Sequence, residues 1–219
     1  MVGMASDTTT HATPPVTPAA PADLEAAAWL LACAFTEDRP LRAIFRSRGP
    51  VEPARSAPVF RALLREGPLR CGTVDVVRDA GGDVVAVAVW HAPAAGRTSL
   101  LGHLPLAGTY VRALGLEGTF RAARITGAVQ AYHPRVPHWY LETIGVAPSA
   151  RGQGLGSALL GHRLAAVDAQ DVPAYLESSS RRSGTLYQRH GFAPLRRITV
   201  WPGAEPWSMW RERGSLRRA

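Results

Sequence analysis

"ARGQGLGSALL", residues 150–160, follows the apolar run "WYLETIGV" (139–146) and a short segment centred on a Pro-Ser pair. Glycines stand at 152, 154 and 156, after which Leu and Ala recur at helical spacing. The pattern reads as a strand from His138 to Val146, a glycine-rich turn, and a helix from Gly154 to Asp168. Such a turn points backbone N–H groups and the positive end of the helix dipole at whatever lies above it, which suits phosphate oxygens. Gly154 and Gly156 also allow close packing of strand on helix, so the rest of the chain has to decide between the two uses.

Two common phosphate loops fit poorly. A nucleoside-triphosphate loop needs Lys followed by Ser or Thr after its last glycine, to reach the outer phosphates and hold Mg²⁺, and Leu155-Gly156-Ser157 has no such Lys. A dinucleotide loop needs Gly-x-Gly-x-x-Gly and an acid on the second strand. Gly152, Gly154, Ser157 and Glu177 come near that pattern. Position counts against it, because the loop lies two-thirds along the chain with too little sequence left for the remaining parallel strands.

Working outward, "CGTVDVVRDAGGDVVAVAVWHAP" carries β-branched residues on both sides of Gly81-Gly82 and predicts a hairpin. Asp23 is placed to N-cap "LEAAAWLLACAF", in which Leu24, Ala28, Leu31 and Phe35 share a helical face, and "APVFRALLREG" predicts a second helix. Residues 98–133 read as helix broken by glycines, a lid or a wall of a site. A strand at Ala174–Ser178, a short helix at Gly184–His190 and a final strand pair in "PLRRITVWPG" and "EPWSMWRE" complete the pattern. Hairpins mixed with a crossover unit predict an α+β fold, a mostly antiparallel sheet of about six or seven strands flanked by helices. Residues 1–22, rich in Thr, Pro and Ala, are expected to form a tail, and residues 23–219 one domain.

The 219 residues carry 25 basic side chains, all Arg, against 17 acidic ones. The arginines are scattered, without the aromatic-interleaved basic stripe that nucleic-acid binding favours. No apolar run nears the roughly 20 residues a membrane span requires, and the N-terminus lacks the apolar core of an export signal. A cytoplasmic protein without nucleic-acid or membrane partners is expected. Two cysteines, Cys33 and Cys71, predict neither a disulfide framework nor a metal centre.

Arg151-Gly152-Gln153-Gly154-Leu155-Gly156, preceded by a strand and "VAP" and followed downstream by "PAYLES" and "LYQRHGF", resembles the signature region of the GNAT superfamily of acyl-CoA N-acyltransferases. Together with "ACAFTEDRP" and "VAVAVWHAP", these segments are most similar to members that acetylate an aminonucleoside antibiotic. The resemblance covers about residues 24–212. It implies the GNAT fold, acetyl-CoA as co-substrate without a metal, a small-molecule amine acceptor, and a monomer or homodimer. It also implies a gap between strands 138–146 and 174–178, in which the main chain of Ile144, Gly145 and Val146 pairs with the pantetheine arm. Arg151, Gly152, Gln153, Gly154, Leu155, Gly156 and Ser157 would then hold the pyrophosphate. Two features depart from the family pattern: the first strand falls on the Pro-rich "PPVTPAAP", and Ser183 stands where related sequences often carry Asn.

Transfer to an amine needs a base, because an alkylammonium with a pKa near about 10.4 keeps its proton at neutral pH. Glu142 is the first candidate. On an unbroken strand it shares a face with Ile144, unless a bulge intervenes. Glu177 is the second, and either carboxylate also has a structural reading, pairing with an Arg such as Arg181. By the resemblance, Tyr187 donates a proton to the departing thiolate and Ser183 contacts the cofactor. Phe35, Trp90, Trp139 and Tyr140 are candidates for an acceptor pocket. His133, His138 and His190 read as surface or polar-core residues. Peptide N-terminal acetylation, or a binding module that keeps the cradle without catalysis, stand as alternatives.

Overall fold

Val16–Pro18 opens the sheet as a three-residue strand, β1, paired antiparallel with residues 77–75. The computed structural model describes residues 14–66, 72–93, 107–200 and 206–214. The stretch expected as a tail therefore contains a strand, and residues 1–13 lie outside the described residues. Proline is tolerated in β1 because this strand is at the sheet edge, where a missing N–H faces away from any ladder. Asp23, expected to cap helix α1 (Leu24–Ala34), makes no such bond. Its carboxylate instead accepts from Ala20 N–H at 2.6 Å and from Arg78 at 2.5 Å, fastening the helix entry to the neighbouring strand.

A helix absent from the sequence reading follows. Asp38 accepts from Leu41 N–H at 3.0 Å and starts α2 (Arg39–Phe45), with Pro40 in its first turn. Helix α3 (Pro53–Glu66) leads to the hairpin of β2 (Gly72–Arg78) and β3 (Val84–His91). The turn is held by Asp79, whose side chain accepts from Gly81 N–H and Asp83 N–H, and Gly82 supplies the positive φ of +88°.

Helix α4 (Ala107–Gln130) is broken at Gly115, whose φ and ψ of 68° and 171° are not helical. Strand β4 (Trp139–Val146), helix α5 (Leu155–Ala169), strand β5 (Ala174–Ser178), helix α6 (Arg181–Arg189) and strands β6 (Ala193–Arg197) and β7 (Trp207–Arg211) complete the chain. Helix α6 begins three residues before the expected Gly184, because Ser180 and Ser183 form a capping box there. The sheet order is β1-β2-β3-β4-β5-β7-β6, and only β4 and β5 run parallel. Six helices flank this seven-stranded sheet among the described residues.

Strand alternation divides the core in two. Val74, Val76, Val87 and Val89 face α1 and α3, whereas Val77, Ala86, Ala88 and Trp90 face α5 through Leu159, Leu160 and Leu164. Truncating one of these buried leucines to Ala costs about 2–5 kcal/mol, so they hold α5 firmly against the sheet. An ion pair crosses the α5 layer: Arg163 donates to the fully buried Asp75 of β2 at 2.5 and 2.9 Å. The pair fastens α5 to β2, and α5, with the β3 and β4 strands it packs on, frames the site.

Candidate active site

Strand β4 is bonded to β5 only through Trp139, Tyr140 and Leu141, opposite Ala174, Tyr175 and Leu176. On its other side it stays paired with β3 as far as Val146. From Glu142 to Val146 the edge facing β5 is thus unpaired among the described residues. The side chains of Ile144 and Val146 pack into the α5 core, and Gly145 lies against α1. The unpaired main chain of these residues is open to a ligand in the gap, the pattern of an added strand.

At the far end of that edge the glycine loop opens α5. Gly152 and Gly154 have φ of +83° and +79°, and a side chain at either position would meet no atom within 4 Å. Close strand–helix packing therefore does not explain these two glycines; the positive φ and the open space above the backbone do. Gly156 differs, since a Cβ there would sit 3.4 Å from Leu186. Gly154 caps α5 without a side-chain bond, and the first helical bond runs from Ala158 N–H to Gly154. The N–H groups of Leu155, Gly156 and Ser157 have no helical acceptor, an arrangement that suits an anion, and Gln153 is exposed beside them. Arg151 anchors the loop to α1 through the Ala34 carbonyl at 3.4 Å.

In front of the gap lies a cleft of about 920 Å³, walled by α2, α4 and the connection from α4 to β4. Of the four aromatic candidates, Phe35 and Tyr140 line it. Trp90 and Trp139 do not: both are buried in the α5 core on the opposite face of the sheet, and the Trp139 indole donates to Gln170 at 3.0 Å. The reason is the two-residue period of β3, together with the one-residue offset in β4 that separates Trp139 from Tyr140.

That period is interrupted once. Val89 lies opposite Thr143 but Trp90 lies opposite Leu141, so Glu142 is the extra residue of a bulge. Glu142 consequently does not share the face of Ile144, as an unbroken strand would require. It turns to the cleft side, where its Oε2 lies 2.6 Å from His91 Nε2. His91 stacks on Tyr140, with ring centroids 5.6 Å apart. Burial pushes the His91 pKa down, but the hydrogen bond and charge of Glu142 together outweigh it, and the net shift is upward.

Glu177 enters the same cleft from β5. His133 Nε2 lies 2.8 Å from its Oε1, out of line for a hydrogen bond, and that oxygen is buried without one among the described residues. His133 meets Tyr140 edge-on at 4.6 Å. Burial and the nearby charges of Glu177 and Glu142 push the Tyr140 phenol well up. Tyr187, on α6, also lines the cleft, and burial followed by the charge of Glu177 raises its pKa. The Ser183 hydroxyl is engaged in the α6 cap, 2.9 Å from Ser180 Oγ and 3.0 Å from Ser178 Oγ. Among the described residues, three carboxylates, Asp38, Glu142 and Glu177, line the cleft against one arginine, Arg135, a balance that suits a cationic acceptor.

A family model described as the acetyltransferase (GNAT) family matches residues 102–192. A Corynebacterium glutamicum protein described as histone acetyltransferase HPA2 and related acetyltransferase is 34% identical over 92% of this chain and 97% of its own, with a TM-score of 0.69. This chain belongs to the GNAT acetyltransferase family. Two more distant structures share the fold. Arylalkylamine N-acetyltransferase 2 from Aedes aegypti is 15% identical, over 90% of this chain and 98% of its own, with a TM-score of 0.63. The polyamine N-acetyltransferase of Drosophila melanogaster is 20% identical, over 90% and 97%, with a TM-score of 0.59.

GNAT membership implies acyl-CoA-dependent acetyl transfer, and the cradle and unpaired strand edge fit acetyl-CoA. Three cleft residues of this GNAT chain escaped the sequence reading: His91, Asp38 and a contact role for His133. His91 was within reach, since Val87 and Val89 already fix its face by alternation. The His133–Glu177 contact spans 44 positions and depends on where α4 ends, which no local pattern records.

Proposed function

We propose that the protein transfers an acetyl group from acetyl-CoA to the primary amine of a small molecule, an aminonucleoside-like or antibiotic acceptor of the kind that puromycin N-acetyltransferase modifies. The observation that carries this reading is the walled cleft of about 920 Å³, with Phe35 and Tyr140 on its sides and Glu142 and Glu177 facing inward. Aromatic surface beside carboxylates suits a flat molecule bearing an ammonium group.

In this reading the main chain of Ile144, Gly145 and Val146 binds the pantetheine amides, and the N–H groups of Gln153 to Gly156 bind the pyrophosphate. Arg151, Gly152 and Ser157 complete the loop. Glu142 takes the ammonium proton, with Glu177 as the alternative base. The freed amine attacks the thioester carbonyl, a β4 N–H near Ile144 steadies the oxyanion, and Tyr187 protonates the thiolate as the carbon–sulfur bond breaks. The enzyme works in the cytoplasm as a monomer or homodimer.

A peptide acceptor is the second reading, favoured by the description of the Corynebacterium protein at 34% identity. One experiment separates the two. Thiol release from acetyl-CoA is measured with aminonucleosides, aminoglycosides, polyamines, arylalkylamines and a histone-tail peptide. The first reading requires an aminonucleoside or another small amine to lead by at least about tenfold in kcat/KM; leadership by the peptide overturns it.

A further inference from the structure

The bulge in β4 does more than expose a carboxylate: it sets Glu142 directly on an imidazole. We infer that His91 and Glu142 act as one proton-accepting unit in which Glu142 meets the acceptor amine and His91 holds the proton taken from it, so that His91 is a positioning residue for the base. The inference rests on the acetyl-transfer reading of this site and extends it to a residue on a different strand.

Three observations support it. The Nε2–Oε2 separation is 2.6 Å, and the two side chains are only 16% and 27% exposed, so water competes weakly for the bond. The His91 ring is held flat against Tyr140, which fixes the direction of Nε2. His91 also terminates a strand that is otherwise apolar from Val84 to Trp90, so no other group on β3 faces it. Facing it from β4 are Tyr140 and Glu142. Farther along the cleft stand Glu177 of β5, Tyr187 of α6, Asp38 of α2 and Tyr110 of α4, with His133, Arg135 and His138 on the connection before β4.

The chemistry explains why the pair matters. A lone carboxylate with a pKa near about 4.3 is a poor acceptor for an ammonium proton near about 10.4. Coupling it to an imidazole places the proton on a group that holds it about two pH units more tightly. With His91 in its Nδ1–H tautomer, Nε2 is the acceptor: the ammonium gives one proton to the Glu142 carboxylate, which passes it across the 2.6 Å contact to Nε2, so that the pair becomes imidazolium–carboxylate and later releases the proton to solvent. The amine lone pair forms the carbon–nitrogen bond and the carbon–sulfur electrons leave on sulfur. The second nitrogen proton is matched by the one the thiolate gains, so a single proton is released per turnover.

The test is the pH profile of kcat/KM with the best amine from the screen, for the wild type, His91→Gln, His91→Phe, Glu142→Gln and His133→Gln. In the wild type the acid limb should lie above an ordinary imidazole's midpoint. His91→Gln and His91→Phe should move it acidward by at least about 1.5 pH units and lower the rate at pH 7 by about tenfold or more. An unmoved limb in both variants, or a limb that moves in His133→Gln instead, overturns the inference.

A second measurement does not depend on turnover. The His91 Cε1–H signal, assigned by its loss in His91→Gln, should titrate above the ordinary imidazole value in the wild type and below it in Glu142→Gln, where only burial remains. A midpoint unchanged by Glu142→Gln overturns the pairing even if activity is found. If no amine releases thiol, the acetyl-transfer reading fails while this titration still reports on the pair.

Discussion

Arg211 of β7, fully buried, donates both terminal nitrogens to the Asp168 carboxylate of α5 at 2.5 and 2.8 Å, while its Nε donates to the His190 carbonyl at the end of α6. One guanidinium thereby joins the helix that starts at the cradle, the helix that carries Tyr187 and the strand paired with β5. Arg211→Met removes the guanidinium and leaves a carboxylate buried without its partner. A loss of about 3–5 kcal/mol is expected in urea unfolding, and Arg211→Met with Asp168→Leu should recover much of it. A loss below about 1 kcal/mol in the single variant would contradict the role assigned to the pair.

The glycines at 145 and 154 separate packing from backbone freedom. A Cβ at Gly145 would lie 2.9 Å from Leu31 Cδ2, 3.3 Å from Ala34 Cβ and 3.4 Å from Leu30 Cδ2, so Gly145→Ala pushes β4 away from α1. Overpacking of this kind costs about 1–3 kcal/mol and should also displace the main chain of residues 144–146. Gly154→Ala meets no atom but must hold a φ of +79°, at about 1–2 kcal/mol. Both substitutions should raise the KM for acetyl-CoA, Gly154→Ala with the smaller fall in melting temperature. Equal KM values for the wild type and Gly154→Ala would remove the loop from the cofactor site.

The fold was legible wherever one period dominated a segment. Val74–Val77 and Val84–Val89 around Gly81-Gly82 specify the hairpin, and Ala174–Ser178 falls within the expected bounds. Elements decided by a side-chain cap were harder to see: α2 depends on the Asp38 carboxylate meeting Leu41 N–H, and the start of α6 depends on Ser180 and Ser183. Of the residues that line the cleft, Glu142 and Glu177 could be placed from their strands. The bulge that separates Glu142 from the face of Ile144 was not legible, because it is a property of the pairing between β3 and β4 rather than of either sequence. The same pairing sends Trp90 and Trp139 into the core although their composition suits a pocket.

Asp38 performs two opposed tasks. Its carboxylate caps α2, yet burial raises its pKa, with the bond from Leu41 N–H and the contact with Ser179 opposing the rise. A carboxyl whose folded pKa is raised binds more protons in the folded state, so stability falls as pH climbs from its unfolded value through the folded one, and at neutral pH the charge is a burden. Asp38→Asn keeps an acceptor oxygen for Leu41 N–H without the charge. It should match or exceed the wild-type melting temperature at pH 7 and lose that advantage near pH 3. Asp38→Ala should lose about 1 kcal/mol through the missing cap. A lower melting temperature for Asp38→Asn than for Asp38→Ala would refute this account.

Tyr187 tests the acid half of the proposed reaction. Burial and then the charge of Glu177 raise its pKa, so the phenol keeps its proton across the working pH range and is available as a donor. Its ring packs edge-on against Phe192 at a centroid distance of 6.2 Å, a contact that phenylalanine would preserve. Tyr187→Phe should therefore fold normally and bind acetyl-CoA within about twofold of the wild type by calorimetry. Its kcat should fall by about 100-fold, the lower end of what a positioned proton donor contributes. The raised pKa adds a second requirement: any alkaline limb below about pH 10 belongs to another group and should persist in Tyr187→Phe. An unchanged kcat, or a wild-type alkaline limb that vanishes in the variant, would transfer protonation of the thiolate to a different donor.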